Sequence, residues 1–178
     1  MYRHWDSWDD YQVSNVFYMS YQEGQLTGAP VNIQNEPFDC PVQPYGGMEQ
    51  MAWSPDGRFI AYTCKKQSGK KFAVSTNSDI FLYELATGKT NNLSEGMPGY
   101  DRDPVFSPDG KHLIWTSMDR AGFENDRTRI FRYDMASKQK SELQTGLDMG
   151  SDHPQFSADG KTIYFQGTTK GTVQLFAL

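Results

Sequence analysis

The sequence predicts an all-β fold: a partial, open β-propeller made of four-stranded antiparallel blades. Three observations predict it: a recurring four-residue motif, strand-like runs around each copy, and incomplete repeats at both ends of the chain. The motif is Ser-Pro-Asp-Gly at 54–57 and 107–110, and it returns as Ser-Ala-Asp-Gly at 157–160. Its copies begin 53 residues apart, from Ser54 to Ser107, and then 50 apart, from Ser107 to Ser157. A period of about 50 residues is typical of propeller blades.

Each copy of the motif is predicted to form the turn of a β-hairpin. Proline fixes φ at the first central position of a type I turn, and aspartate suits the second. Glycine then adopts a positive φ as the chain re-enters a strand. The serine hydroxyl can bond a backbone N–H of the turn and stiffen it. An aromatic residue precedes each copy and a basic residue with an apolar run follows it, as at 58–62.

The second half of each repeat is predicted to add a strand, a turn and a short polar strand. These pieces are 79–85, 86–89 and 90–93 in the first whole repeat, and 129–134, 136–139 and 141–143 in the next. Two segments, 65–78 and 117–127, interrupt the second hairpin and are long for hairpin loops. Long loops on a rigid scaffold are where functional residues concentrate.

The ends of the chain complete the predicted organisation, a single partial propeller over residues 1–178. Its segments are the outer strands of one blade at 1–35, a proline-punctuated linker at 36–47, whole blades at 48–97 and 98–146, and an incomplete blade at 147–178. A propeller closes its ring to protect its edges, so the sequence is interpreted as a fragment of a larger propeller. Open blade edges and apolar blade faces also favour self-association through the ends.

Composition argues against several other classes of protein. A net charge of −5 over 178 residues argues against nucleic-acid binding, which needs a basic surface. No apolar run approaches the roughly 18–20 residues of a membrane span, and residues 1–10 lack the apolar core of a signal peptide. Cys40 and Cys64 are too few and too far apart for a zinc site or a disulfide framework. The three histidines lack metal-ligand spacing, so neither metal nor cofactor is expected.

Three longer strings resemble the prolyl oligopeptidase family of serine peptidases, in its dipeptidyl-peptidase and acylaminoacyl-peptidase branch. They are RHWDSWDD at 3–10, GYDRDPVFSPDG at 99–110 and SMDRAGFEND at 117–126. The repeats themselves resemble TolB-type, WD-like propeller repeats. The resemblance implies a propeller that roofs an α/β-hydrolase domain, gates access to its active site and helps to bind the peptide amino terminus. It also suggests a periplasmic or secreted enzyme.

The chain departs from that family because it lacks the hydrolase domain. It contains no Gly-x-Ser-x-Gly sequence, the turn that carries the nucleophile in that fold. Hydrolysis by this chain alone is therefore expected to be absent, and a peptide substrate would be engaged together with the missing domain. The alternative is a stand-alone TolB-like propeller module for protein–protein interaction, and a truncation with no function of its own also stays open.

One candidate substrate-binding group lies in the long loop that holds Arg120, Glu124 and Asp126. The resemblance implies that such a loop reaches the catalytic cleft, where Glu124 pairs with a substrate ammonium. A carboxylate facing an ammonium in a water-poor cleft gives an exopeptidase its specificity for chain ends. The alternative is structural, with Arg120 pairing with Glu124 or Asp126 to hold the loop.

A second candidate group is predicted to line the central channel and filter substrates. Asp101, Arg102 and Asp103 precede the first strand of one blade, and Asp152 and His153 occupy the matching place one repeat later. The first strand of a propeller blade lies nearest the channel. The alternative is a set of hydrogen bonds that tie one blade to the next.

The start of the chain holds a third candidate, a ligand-binding patch of His4, Trp5, Asp6 and Trp8. Exposed tryptophan is often a binding residue. The alternative is a packed strand in which His4 or Asp6 bonds to backbone.

Overall fold

The computed structural model describes residues 12–43 and 46–178, which fold into four separate antiparallel sheets, none of them closed. We name the sheets blades 1 to 4 in chain order. Blade 1 has two strands, blades 2 and 3 have four each, and blade 4 has three. The prediction of an open propeller with four-stranded antiparallel blades is confirmed.

The strands follow one another in each blade in chain order. Blade 1 consists of β1 (Phe17–Gln22) and β2 (Gln25–Asn32). Blade 2 consists of β3 (Met51–Trp53), β4 (Phe59–Cys64), β5 (Asp79–Glu84) and β6 (Lys89–Asn92). Blade 3 consists of β7 (Asp101–Phe106), β8 (His112–Ser117), β9 (Arg129–Asp134) and β10 (Lys140–Leu143). Blade 4 consists of β11 (Asp152–Phe156), β12 (Ile163–Thr169) and β13 (Thr172–Ala177).

The three motif turns share one hydrogen-bond pattern. In the first, the Ser54 hydroxyl donates to Asp56 Oδ1 (2.7 Å) and accepts the backbone N–H of Phe59 (2.9 Å). Gly57 has a φ of 70°, in the left-handed region that glycine enters without steric cost. Ser107 and Ser157 repeat these bonds in the next two turns. The predicted hairpin turns, including the stiffening role of the serine, are therefore present.

Successive turns also touch one another. A Cβ added at Gly110 would lie 3.6 Å from Cδ of Pro55, and one added at Gly160 would lie 3.4 Å from Cδ of Pro108. The proline of each turn thus packs over the glycine of the next blade's turn.

The blades stack through faces of two kinds. One face of each of blades 2, 3 and 4 carries a stacked aromatic pair from its second and third strands: Tyr62 with Phe81, Trp115 with Phe131, and Phe165 with Phe176. We call this the aromatic face, and it packs against the preceding part of the chain. In blades 3 and 4 it covers the opposite, aliphatic face of the blade before.

The aliphatic faces of blades 2 and 3 are covered by the following blade. Ala61 and Ile80 of blade 2 share a core cluster with Trp115 of blade 3. Ile114 and Ile130 of blade 3 share another with Phe165 of blade 4. Both faces of β4 and β8 are therefore buried, as expected for strands stacked on two sides.

The segment between blades 1 and 2 packs against blade 2. Cys40 lies in a core cluster with Cys64 and Tyr62, and both cysteines are free and buried. Burial raises the pKa of the Cys64 thiol to about 12 and raises that of Cys40 further still. A raised thiol pKa disfavours the thiolate, so these buried cysteines are structural groups rather than nucleophiles.

Connections between strands lie at two opposite ends of each blade, because antiparallel strands alternate in direction. The motif turns lie at one end, which we call the turn side. The loops 65–78 and 118–128 lie at the other end, which we call the loop side. The first of these loops contains a short helix that the sequence did not predict, α1 (Gly69–Val74). No helix in the described part of the chain is long and apolar enough to cross a membrane.

Candidate functional site

Asp126 closes the loop that follows β8. Its Oδ2 accepts the backbone N–H groups of Asp119 (3.1 Å) and Arg120 (2.9 Å), and its Oδ1 accepts that of Arg127 (3.0 Å). The Arg120 guanidinium lies 2.8 Å from Oδ1 and holds the pKa of the Asp126 carboxyl well below its usual range. Arg120 also lies over the Phe123 ring, 4.1 Å from its centroid. Arg120 and Asp126 therefore hold the loop together, which was the structural alternative for this pair.

Glu124 differs from its two neighbours in the candidate group. Its side chain is exposed, and it has no hydrogen bond or ion pair with any residue in 12–43 or 46–178. Burial lowers the pKa of the nearby Lys65, and the negative charge of Glu124 offsets part of that effect. The carboxylate of Glu124 is thus exposed and lies near the cationic side chain of Lys65.

The two long loops of blades 2 and 3 are in contact. The backbone N–H of Gly122 donates to Thr76 Oγ1 at 3.0 Å. A Cβ at Gly122 would lie 2.7 Å from the carbonyl oxygen of Val74, so only glycine allows this approach. The contact orders the two loops relative to one another on the loop side.

We call the first strands of blades 2, 3 and 4 (β3, β7 and β11) the inner strands. The second candidate group lies within β7 and β11, whereas the sequence analysis placed it just before them. Asp101, Arg102 and Asp103 are the first residues of β7, and Asp152 and His153 are the first of β11. Arg102 Nη2 lies 3.7 Å from Asp152 Oδ1 and Arg102 Nε lies 3.9 Å from Asp103 Oδ2. The strands begin earlier than expected because each continues past a break in its pairing register.

Asp103 and His153 occupy the same position in successive repeats, at these breaks. They have φ values of 59° and 50°, in the left-handed region where Asp and His are enriched among non-glycine residues. Burial raises the pKa of Asp103, against the opposing charges of Arg102 and His153. Its Oδ1 is buried and has no hydrogen-bond partner in the described ranges. Both side chains line a cleft of about 340 Å³ to which the inner strands of blades 2, 3 and 4 contribute.

Asp101 belongs to the junction between blades 2 and 3. Its side chain is completely buried, and Trp115 Nε1 donates to its Oδ1 at 3.1 Å. Its backbone carbonyl accepts the Ser78 hydroxyl at 2.7 Å. This is the inter-blade tie that was the alternative to a channel-lining role, and the channel-lining role of the other four residues stays a prediction.

One cleft brings the two candidate groups together. Its volume is about 480 Å³, and Glu124 and Asp126 line it from the loop while Arg102 and Asp152 line it from the inner strands. Sequence reasoning did not connect these residues, because their contact depends on how blade 4 packs beside blade 3.

Glu49 is a residue of this region that the sequence analysis missed. It lines the cleft of the inner strands together with Asp103 and His153. The repeat spacing could have revealed it, since Glu49 lies 53 residues before Arg102, which lies 50 before Asp152. The patch of His4, Trp5, Asp6 and Trp8 lies outside the described residues. Within the described ranges no group of three His, Cys, Asp or Glu side chains could hold a metal ion.

The stacked four-stranded sheets and their clefts define a β-propeller segment. The family model of the TolB β-propeller domain matches residues 48–178. The chain therefore belongs to the TolB β-propeller domain family.

Comparison with curated proteins identifies relatives among peptidases. The chain is 45% identical over 130 residues to dipeptidyl-peptidase 5 of Porphyromonas gingivalis, a match that covers 73% of this chain and 19% of that protein. The chain thus spans about a fifth of the length of the curated relatives it matches. It is a propeller domain homologous to part of the dipeptidyl-peptidases.

Solved structures share the fold. A protein assigned as TolB from Agrobacterium tumefaciens superposes with a TM-score of 0.57 at 19% identity, covering 85% of this chain and 49% of that one. A protein assigned as a dipeptidyl aminopeptidase IV from Bacteroides ovatus gives 0.55 at 17% identity, covering 96% of this chain and 30% of the other. At these identities the likeness concerns the fold alone.

Proposed function

We propose that this chain is the non-catalytic propeller segment of a serine exopeptidase that acts on peptide amino termini. The loop side of the segment covers the active site of a hydrolase domain in the longer protein. It admits chain ends, and Glu124 binds the free ammonium of the substrate. The homology to dipeptidyl-peptidases supports the class of reaction.

The availability of Glu124 carries the proposal. Of the two carboxylates in the loop that line the cleft with Arg102 and Asp152, Asp126 is fully engaged by Arg120 and backbone N–H groups. Glu124 has no such partner in the described ranges. A charge-assisted hydrogen bond from an ammonium is about twice as strong as a neutral one, so the exposed Glu124 carboxylate can select an unblocked amino terminus.

The geometry of the loops supports a gating role. The loop of blade 2 meets that of blade 3 through Gly122 and Thr76, so the pair forms a continuous rim beside the cleft. A rim of this kind limits access to extended chain ends. The filtering role of Asp103, Asp152 and His153 belongs to the same proposal, since all three line clefts beside the inner strands.

The first experiment extends the coding DNA in frame and expresses the whole protein. The frame is expected to run on to a Gly-x-Ser-x-Gly sequence. Wild type and Glu124→Gln are then compared on a dipeptidyl substrate with a free amino terminus and on its N-acetylated form. We expect Glu124→Gln to lower kcat/KM for the free substrate about 10- to 100-fold, because it removes one charged hydrogen bond.

The matched control is Glu23→Gln, which removes an exposed carboxylate from the β1–β2 turn on the turn side. It should leave both rates unchanged. An equal loss on free and acetylated substrates would show that Glu124 does not read the ammonium. A frame without the nucleophile turn would remove the peptidase role altogether.

A further inference from the structure

The fold brings the two cysteines of the chain together, although they lie 24 residues apart in the sequence. Cys64 ends β4, and Cys40 belongs to the segment that follows blade 1. Both residues are buried, 0% and 1% exposed, in one core cluster. The Cys64 thiol donates to the backbone carbonyl oxygen of Asp39, the residue before Cys40, with Sγ 3.6 Å from that oxygen. The two thiols are therefore neighbours in the core.

The spacing around Cys40 is compatible with a disulfide. By standard peptide geometry a carbonyl oxygen lies about 2.8 Å from the Cα atom of the next residue. Sγ of Cys64 is therefore within about 6.4 Å of Cα of Cys40. In a disulfide the two Cα atoms are usually about 4.4–6.8 Å apart, with both sulfur atoms between them. A local adjustment of the segment around Cys40 is enough to bring the sulfur atoms into bonding distance.

Polar contacts hold the Cys40 segment against blade 2. Gln34 Nε2 donates to Cys64 Sγ at 3.7 Å. Lys66, in the loop after β4, forms an ion pair with Glu36 of the segment. A covalent bond at this place would fasten the segment between blades 1 and 2 to blade 2.

The repeat does not require a cysteine at position 64. Ser117 lies 53 residues after Cys64, and Gly167 lies 50 residues after Ser117, the same spacings as between the motifs. All three residues pair with the third strand of their own blade. The equivalent places thus hold small residues of different chemistry, and a thiol stands in blade 2, where Cys40 lies beside it. The thiol of Cys64 therefore needs a reason other than the formation of a blade.

We propose that Cys40 and Cys64 are a disulfide site, joined when the chain folds in the presence of a low-molecular-weight disulfide such as oxidised glutathione. One cysteine thiolate attacks the glutathione disulfide and releases one glutathione thiolate. The second cysteine attacks the resulting mixed disulfide and releases the other. The two protons of the cysteine thiols pass to the two released glutathione thiolates, so one disulfide is made and one is broken. The inference does not depend on the peptidase role.

The bond forms before the core closes. Burial raises the pKa of both thiols in the folded protein, and the thiolate is the form that attacks a disulfide. A cysteine in an unfolded chain has a pKa of about 8.5, so it exchanges faster there than in the core. The folded, reduced protein should therefore react slowly with the oxidant, whereas the refolding chain should be oxidised.

The test refolds the chain from urea at low micromolar concentration, either in a mixture of oxidised and reduced glutathione or in a reducing buffer. Free thiols are then alkylated in denaturant, and the intact mass is measured. From the glutathione buffer we expect a monomer that takes up no alkyl group and yields a peptide in which Cys40 is joined to Cys64. It should also melt about 5–10 °C above the reduced chain, because the bond closes a loop between residues 24 apart.

Cys64→Ser is the matched control, since serine occupies the equivalent place in blade 3. It cannot form the bond, so the glutathione buffer should not raise its melting temperature. A wild-type chain that keeps two alkylatable thiols, or whose disulfides join two copies, would overturn the proposal. So would an oxidised chain that melts no higher than the reduced one, since the bond would then be incompatible with the fold. The masses are measured on wild type, so this outcome does not depend on how the variant folds.

Discussion

At the scale of single residues, Asp101 lies in a buried position that favours the protonated, neutral form of its carboxyl. Burial raises the pKa of this carboxyl to about 7, although the side chains of Ser117, Trp115 and Ser94 favour its charged form. Its Oδ2 is buried without a hydrogen-bond partner in the described ranges. Asp79, whose pKa burial also raises, adds a repelling charge nearby. A proton on Asp101 therefore stabilises the junction between blades 2 and 3.

The stability of the fold should accordingly fall as pH rises from about 4 to about 7. The folded-state pKa lies above the usual 3.8, so the stabilisation is fully present below about 4 and is lost as pH rises through 7. Each tenfold change in proton affinity corresponds to about 1.4 kcal/mol, so the loss is on the order of a few kcal/mol. Urea unfolding between pH 4 and pH 8 measures it.

Asp101→Asn is the comparison, because an amide resembles the protonated acid and can still accept the Trp115 N–H. Its free energy of unfolding should change less with pH over this range, with the remaining slope due to Asp79 and Asp103. A variant with the same slope as wild type would mean that Asp101 is not the group that titrates.

The sequence identified the residues of the candidate site but could not assign a separate role to each of them. It named Arg120, Glu124 and Asp126 as one group and left pairing among them open. The choice of Asp126 as the partner of Arg120 depends on three backbone N–H groups that converge on one carboxylate. Backbone convergence of this kind is a property of the folded loop and leaves no pattern in the sequence.

At the scale of elements, the hairpins were predictable because local chemistry determines them. Pro, Asp and Gly each have a preferred place in the turn. The first two observed turns use all three, and the third has Ala158 in place of proline. The helix α1 was not predictable, since six residues are too few to be helical without tertiary contacts. One such contact is Lys65 Nζ, which donates to the carbonyl of Phe72 at 2.6 Å.

Gly110→Val should destabilise the protein by about 1–2 kcal/mol. Gly110 has a φ of 69°, and β-branched side chains rarely adopt the left-handed region. The Cβ itself has room, at 3.6 Å from Pro55, so backbone strain is the expected cause. Thermal melts measure the effect.

Gly110→Asn separates strain from bulk, because asparagine tolerates positive φ far better than valine. The asparagine variant should melt closer to wild type. Equal melting temperatures for the two variants would contradict a strained turn.

At the scale of the whole molecule, stability should be highest in the middle of the stack. Blades 2 and 3 are covered on both faces, whereas blades 1 and 4 each leave one face exposed. Few buried contacts and exposed backbone hydrogen bonds mark segments that open locally. This arrangement follows from the order of the sheets and not from any one residue.

Hydrogen exchange should therefore show a gradient along the chain. Amides of β4 and β8 are expected to exchange at least about tenfold more slowly than those of β13, a difference of about 1.4 kcal/mol in opening free energy. Mass spectrometry of peptic fragments resolves these strands. Equal protection of β8 and β13 would show that the stack opens as one cooperative unit.

The overall architecture could be predicted because the repeat is visible as a sequence motif. The clefts could not be predicted in this way. The spacing of the motifs indicates which strands form a blade. The cleft that Glu124 and Asp152 line lies where blades 3 and 4 meet, and side chains from the two β-sheets pack together at that junction. That packing involves residues far apart in sequence, such as Ile130 and Phe165.

The contact between successive turns makes neighbouring repeats dependent on one another. Pro55 rests over Gly110, and Pro108 rests over Gly160, so each turn supplies half of a contact that the next turn completes. A side chain gained at Gly160 would contact the proline of the blade before it and would strain its own turn, where φ is 70°. Each of these contacts therefore depends on turn residues from two neighbouring blades. The motif consequently contributes to the contact between neighbouring blades as well as to the hairpin turn within each blade.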